Sequence, residues 1–174
     1  MPFHLQEGTC YLIEGKPVAT TYRLFRDLLQ AGMPGLCVSR VFPDHVRSRY
    51  GIGEVPIWWI SQSPGDDHFG PTALGSLAHA LERFIGDHPK GCVLLVDGIE
   101  FLQSYNEFSK TLFFVDRLNE FVMSRRAIVL MPVDPDCFNA MEFARLERFL
   151  SVLREADLRR DVSASEIGRT LLGS

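Results

Sequence analysis

Three acidic side chains and one basic one stand at the ends of apolar runs, where α/β proteins usually do their chemistry. Asp97 and Glu100 follow Gly91-Cys92-Val93-Leu94-Leu95-Val96, and Asp134 follows Ala127-Ile128-Val129-Leu130-Met131 by two residues. Arg40 follows Gly35-Leu36-Cys37-Val38-Ser39. Carboxylates gathered at strand ends can hold a divalent cation or recognise a positive group. Asp97 and Glu100 therefore suggest a metal-binding or charge-recognition site. The favoured alternative is structural, because a carboxylate partly removed from water needs a partner. Asp97 then caps the following turn or pairs with Arg40, whose guanidinium can bond a carboxylate through two parallel donors. Asp134 is either a second carboxylate in the same crevice or a cap on the helix entered through Pro135-Asp136. The cap is the favoured reading.

The elements that must position these residues are legible from periodicity. A continuous apolar run closed by a carboxylate and a glycine, as at 91–98, fits a strand buried on both faces. Four more runs read as strands: Thr9-Cys10-Tyr11-Leu12-Ile13, the run 35–39, Pro56-Ile57-Trp58-Trp59-Ile60-Ser61 and the run 127–131. Between them lie helical patterns over 19–32, 43–50 and 73–85, a long one that continues from Ile99 through Asn106 to Arg126, and another over 138–156. The stretch 62–70 reads as a polar loop. Strand and helix alternate five times. This predicts a three-layer α/β/α fold around a five-stranded, mainly parallel sheet with right-handed crossovers. Residues 1–156 are expected to form one domain. Residues 157–174 are expected to form a C-terminal extension with a short helix, which Ser163-Ala164-Ser165-Glu166 would cap.

Composition excludes several classes. No apolar run reaches 18 residues, so no transmembrane helix is expected, and the first residues lack the pattern of a signal peptide. The net charge of −4 argues against nucleic acid as a ligand. Cys10, Cys37, Cys92 and Cys137 are scattered without a C-x-x-C pair, which suits reduced thiols in a cytoplasmic protein. No clustered ligands point to a structural metal or other cofactor.

The pieces Tyr11-Leu12-Ile13-Glu14-Gly15, Gly32-Met33-Pro34-Gly35-Leu36-Cys37-Val38-Ser39-Arg40, Pro56-Ile57-Trp58-Trp59-Ile60-Ser61, Val93 through Leu102, and Met131-Pro132-Val133-Asp134-Pro135 together resemble domain of unknown function family 835, a mostly archaeal group. That resemblance implies no known activity, though members often accompany signalling modules. The layout is also distantly similar to the KaiC and RecA branch of P-loop ATPases. The likeness implies the strand order 1-5-4-2-3, counted along the chain, with Asp97 at the Walker B position. The phosphate loop departs from that pattern. Wrapping phosphates needs several glycines, a lysine and an adjacent Ser or Thr. Here Ile13-Glu14-Gly15-Lys16-Pro17-Val18-Ala19-Thr20-Thr21 has one glycine, and its lysine precedes a proline. The segment matching the family's water-activating glutamate is Ser39-Arg40, which has no general-base capacity at neutral pH. Nucleotide binding and conventional ATP hydrolysis are therefore not expected.

Other candidates are weaker. Asp97 and Asp134 with a cation would resemble a response-regulator receiver pocket, for which Glu14 and Lys16 are poor substitutes. His68, beside Asp66-Asp67, could bind metal, but a flexible acidic loop is the commoner meaning. Trp58 and Trp59 point to opposite faces of their strand, so one can fill the core while the other shows at an edge. With Ile167, Leu171 and Leu172 they form a candidate partner surface. The expected function is a non-catalytic binding or regulatory module on a RecA/KaiC-like scaffold, acting through a protein partner or self-association. The alternatives are an atypical nucleotide-binding ATPase or phosphotransfer domain using Asp97, and a self-assembling structural domain. The candidate crevice is Glu14, Lys16, Ser39, Arg40, Asp97, Glu100 and Asp134.

Overall fold

The computed structural model describes residues 5–159. Seven strands form one sheet: β1 (Thr9–Glu14), β2 (Gly35–Ser39), β3 (Ile57–Ile60), β4 (His68–Phe69), β5 (Cys92–Val96), β6 (Ala127–Val133) and β7 (Ser151–Arg154). Every strand pair is parallel, in the order β4-β3-β2-β5-β6-β1-β7. The five strands expected from the sequence keep the implied order, and β4 and β7 extend the sheet at its two edges.

Helices cover both faces. α1 (Ala19–Gln30) and α2 (Pro43–Tyr50) pack on one side, where Tyr22, Phe25, Leu28 and Val46 meet Tyr11, Ile13, Cys37, Val93 and Leu95. α3 (Leu74–Gly86), α4 (Ile99–Tyr105), α5 (Phe108–Val122) and α6 (Ala140–Phe149) cover the other, where Leu77, Leu81, Phe114, Leu118 and Leu146 meet Leu12, Val38, Leu94, Val96 and Val129. Successive residues of β1 and β5 thus enter opposite cores, the period-two consequence of the pleat. All five residues of β5 are fully buried, as its unbroken apolar run requires.

Four boundaries differ from expectation. The polar loop 62–70 carries β4, two residues that pair Trp59 with His68 and Ile60 with Phe69. The helix expected to run unbroken into α5 breaks at Asn106, which is extended and whose side-chain amide donates to Leu102 O and Pro71 O, both at 2.8 Å. That helix also ends at Val122 rather than Arg126. The helix expected over 138–156 stops at Phe149, Leu150 turns extended, and β7 follows. Met141 is 68% exposed and Leu153 belongs to β7, so the apolar residues of this stretch do not share one helix face. β7 saturates the outer edge of β1, whose N–H and C=O groups would otherwise stand open along an apolar strand. After β7 the chain is helical again over 155–159, and Leu158 is buried on the α1 side. The expected capping box and Ile167, Leu171 and Leu172 lie outside the described residues.

Candidate functional site

Parallel strands deliver their carboxyl ends to one edge of the sheet, and there β1, β2, β5 and β6 bring Glu14, Ser39, Arg40, Asp97 and Asp134. The backbone N–H of Asp97 still donates to Val38 O at 2.9 Å, which ties the carboxyl end of β5 to β2. Gly98 then turns the chain into α4 with φ of +125°, a conformation open to glycine and strained for other residues.

The partner of Asp97 is Tyr22. Its hydroxyl, on α1, donates to Asp97 Oδ2 at 2.8 Å, and the Cys37 thiol reaches the same hydroxyl at 3.9 Å. Tyr22 is buried and stacks on Tyr50, with ring centroids 3.8 Å apart and planes 5° from parallel. Burial raises the Asp97 carboxyl above the ordinary range. The Tyr22 hydrogen bond and, less strongly, the charge of Arg40 offset this. The expected Asp97–Arg40 ion pair does not form, although β2 and β5 are neighbours as it required. The exposed Arg40 guanidinium lies over the Phe101 ring, 4.7 Å from its centroid. A tyrosine already inside the core supplies the donor that Asp97 needs, while the arginine keeps its hydration and an aromatic face. Ser39 is buried, and its Oγ accepts from Val41 N at 3.0 Å, a turn-forming contact.

Glu100 and Asp134 meet through the backbone. Glu100 Oε1 accepts from Asp134 N at 2.6 Å. Burial raises the Glu100 carboxyl, with smaller upward contributions from Asp97 and Asp134, and the Asp134 N–H works against them. Asp134 Oδ1 accepts from Asp136 N at 2.9 Å, capping the 3-10 turn Pro135–Cys137. The helix beyond has its own cap, Asn139, whose Oδ1 accepts from Glu142 N at 2.8 Å. Among the described residues no three His, Cys, Asp or Glu side chains are grouped to hold a metal ion.

Against the segment matching a phosphate loop lies a carboxylate from the far end of the domain that its sequence position does not reveal. Glu155, just past β7, is 3% exposed and sits against the first turn of α1. Its Oε1 accepts from Thr20 Oγ1 at 2.6 Å, and Arg159 holds both its oxygens, at 3.1 and 2.6 Å. A Cβ on Gly15 would lie 2.5 Å from Glu155 Cβ, so the single glycine of this loop exists to admit Glu155. Arg159, then Thr20, draw the Glu155 carboxyl below the ordinary range. α1 itself begins without a side-chain cap or an acidic residue in its first turn. Lys16 points away to solvent and pairs with Asp136 at 2.8 Å, both side chains about 70% exposed. The visible signal for Glu155 was its spacing of four to Arg159, which a reading of 138–156 as one helix obscured.

Glu14, at the end of β1, has a buried Oε1 without a hydrogen-bond partner. Burial first, and then the Glu147 carboxyl of α6, push its pKa up to about 7, with Arg154 acting in the opposite direction.

The tryptophans divide as expected. Trp58 packs towards α3 with Phe69 and Phe84, at centroid distances of 5.2 and 6.5 Å. The Nε1 of Trp59 donates to Arg40 O at 3.0 Å, and its ring meets Phe42 and His68 edge-on at 5.3 and 5.1 Å. His68 serves that edge, with Nδ1 3.1 Å from Ser63 O.

With this geometry in hand, the chain can be set beside known proteins. The model of the family described as "Protein of unknown function (DUF835)" matches residues 15–150, so the chain belongs to that family. No curated protein matches the sequence. Among solved structures, the protein designated PH0250 from Pyrococcus horikoshii OT3 superposes with a TM-score of 0.58 at 10% identity, covering 86% of this chain and 83% of that one. The KaiC-like protein PH0186 from the same archaeon gives 0.57 at 15% identity, covering 85% and 73%. The flagellar accessory protein FlaH from Methanocaldococcus jannaschii gives 0.55 at 12% identity, covering 86% and 72%. At these identities the likeness establishes a KaiC/RecA-like fold.

Proposed function

We propose that this member of the DUF835 family is a non-catalytic binding and regulatory module that works through protein contacts on a KaiC/RecA-like scaffold. The observation that carries the reading is Glu155. In nucleotide-binding relatives of this layout, the turn between the first strand and first helix wraps phosphate with backbone N–H groups. Here a carboxylate of the chain itself lies against that turn, hydrogen-bonded to Thr20 and clamped by Arg159. A phosphate entering the same space would meet a fixed negative charge in a site with no lysine turned inward. Asp97 adds support, because its hydrogen bond to Tyr22 gives it a structural role. The four cysteines are free thiols, which suits a cytoplasmic setting. No helix among the described residues is long and apolar enough to cross a membrane.

Calorimetric titration with ATP and Mg²⁺ tests the reading. No saturable heat is expected up to about 1 mM nucleotide, the range of a Kd worth only about 4 kcal/mol. Micromolar binding that is lost in Lys16→Ala would overturn it and return the chain to the ATPases.

A further inference from the structure

The chain turns a corner at Leu150, where α6 ends and β7 begins, and Glu14 faces both sides of it. Glu14 is the last residue of β1 and lies opposite Arg154, the last residue of β7. From before the corner, α6 presents Glu147 to the same carboxyl. The other charges nearby are engaged elsewhere: Lys16 with Asp136, Asp134 with Asp136 N, and Glu155 with Thr20 and Arg159. β6 meets Glu14 with the apolar Val133. Glu14 Oε1 is buried and has no hydrogen-bond partner. With a proton, the Glu14 carboxyl can donate it to Glu147. Without one, a charged oxygen is left where no donor reaches it, facing a second carboxylate. Arg154, exposed on the outer edge, offsets this only in part. β7 is poorly held against such a force. Three of its four residues are exposed, and its hold is its pairing with β1. Glu155 follows it directly, packed against Gly15 and bonded to Thr20. Leu150 and Leu158 are both buried, so they anchor the two ends and confine any movement to the residues between them.

Resting on the reading of Glu155 as the group that closes the α1 turn, we infer that Glu14 is a proton-controlled latch on this corner. Protonated, it bonds Glu147 and leaves β7 and Glu155 seated. Ionised, it draws water into the corner, repels Glu147, and lets β7 and Glu155 lift from β1 and from the first turn of α1. The surface released is the outer edge of β1, whose backbone groups β7 otherwise saturates. The latch works near neutrality, because burial and then Glu147 push the Glu14 pKa in the closed corner up to about 7 from 4.5. A carboxyl raised in this way favours the closed form fully below its solvated value, and the advantage is gone once pH has risen through the closed value.

The test is amide hydrogen exchange of the full chain, read by mass spectrometry at pH 5 and pH 8 and corrected for the intrinsic rate at each. Residues 150–159 should exchange faster than β5 at both values, because the corner opens without the rest of the domain. Their protection should fall about fivefold from pH 5 to pH 8. Glu14→Gln should abolish that fall, since the side chain no longer titrates. Glu147→Gln should shrink it and complete it at a lower pH, because the carboxyl that raises Glu14 is gone. Exchange of 150–159 in step with β5 would show that the corner opens only with the whole domain, and overturns the proposal. Equal protection at the two pH values, or the same fall in Glu14→Gln, also overturns it. The ATP titration is a separate matter: nucleotide binding sinks the non-catalytic reading and leaves the latch to stand or fall by exchange.

Discussion

The hydroxyl of Tyr22 and the carboxylate of Asp97, 75 residues apart in sequence, are joined by a 2.8 Å hydrogen bond across the α1 face of the sheet. It is the contact that gives the central strand's terminal carboxylate a hydrogen-bond donor, and it leaves Arg40 free of that task. Tyr22→Phe should cost about 1–3 kcal/mol, the range for removing a donor from a buried charged acceptor. In a double-mutant cycle with Asp97→Ala the two changes should couple by about 1 kcal/mol or more. Arg40→Ala should cost about 0.5–1 kcal/mol for the lost aromatic contact, and should be additive with Asp97→Ala within about 0.5 kcal/mol. Urea denaturation of the six proteins measures both cycles. Strong Arg40–Asp97 coupling would restore the ion pair that the sequence suggested.

Glu14 makes stability depend on pH near neutrality. Its pKa rises on folding from 4.5 to about 7, chiefly by burial and then through Glu147. A carboxyl raised on folding favours the folded state fully below its unfolded value, and that contribution disappears as pH rises through the folded value. The wild type should therefore lose stability between about pH 4.5 and pH 7, whereas Glu14→Gln should not lose this share. Glu14 keeps part of its surface in water, so screening leaves about 1 kcal/mol of the effect. The melting temperature of Glu14→Gln minus that of wild type should rise from near zero at pH 4 to about 2–4 °C at pH 8. A difference that stays flat across that interval would show that Glu14 is solvated.

Gly15 and Gly86 give opposite answers to the same substitution. An added Cβ at Gly15 meets Glu155 Cβ at 2.5 Å, while at Gly86 it meets nothing within 4 Å. Gly15→Ala should therefore cost about 1–3 kcal/mol as overpacking. Gly86→Ala, at the end of α3, should be neutral or stabilising by up to about 1 kcal/mol. Thermal melts suffice to check both. If Gly15→Ala is silent, Glu155 is not locked against the α1 turn, and the case for a closed phosphate site weakens with it.

The central sheet was legible because β5 and β6 are unbroken apolar runs whose only stable home is a covered parallel sheet. Their order followed from the KaiC-like layout. The edge strands were not legible for physical reasons. β4 is two residues long and β7 carries one half-buried position among exposed ones, so neither has a period to detect. Missing β7 hid Glu155, because a strand there carries the carboxylate back to β1. At the crevice, Glu14, Ser39, Arg40, Asp97, Glu100 and Asp134 stand at the carboxyl edge of the sheet, while Lys16 turns out to Asp136. Which of them touch was decided by Tyr22, a helix residue that periodicity marks only as core.

β1 lies between β6 and β7, so Thr9 faces Ile128 and Tyr11 faces Ser151. β2 finds β3 within about twenty residues, Cys37 against Ile57, but both neighbours of β1 are made more than a hundred residues after it. A chain emerging from the ribosome therefore exposes Cys10-Tyr11-Leu12-Ile13 as an unpaired apolar strand until β6 and β7 have followed it. Seating β1 is the step with the longest loops to close, hence slow and late, and the nascent chain is most open to aggregation while it waits.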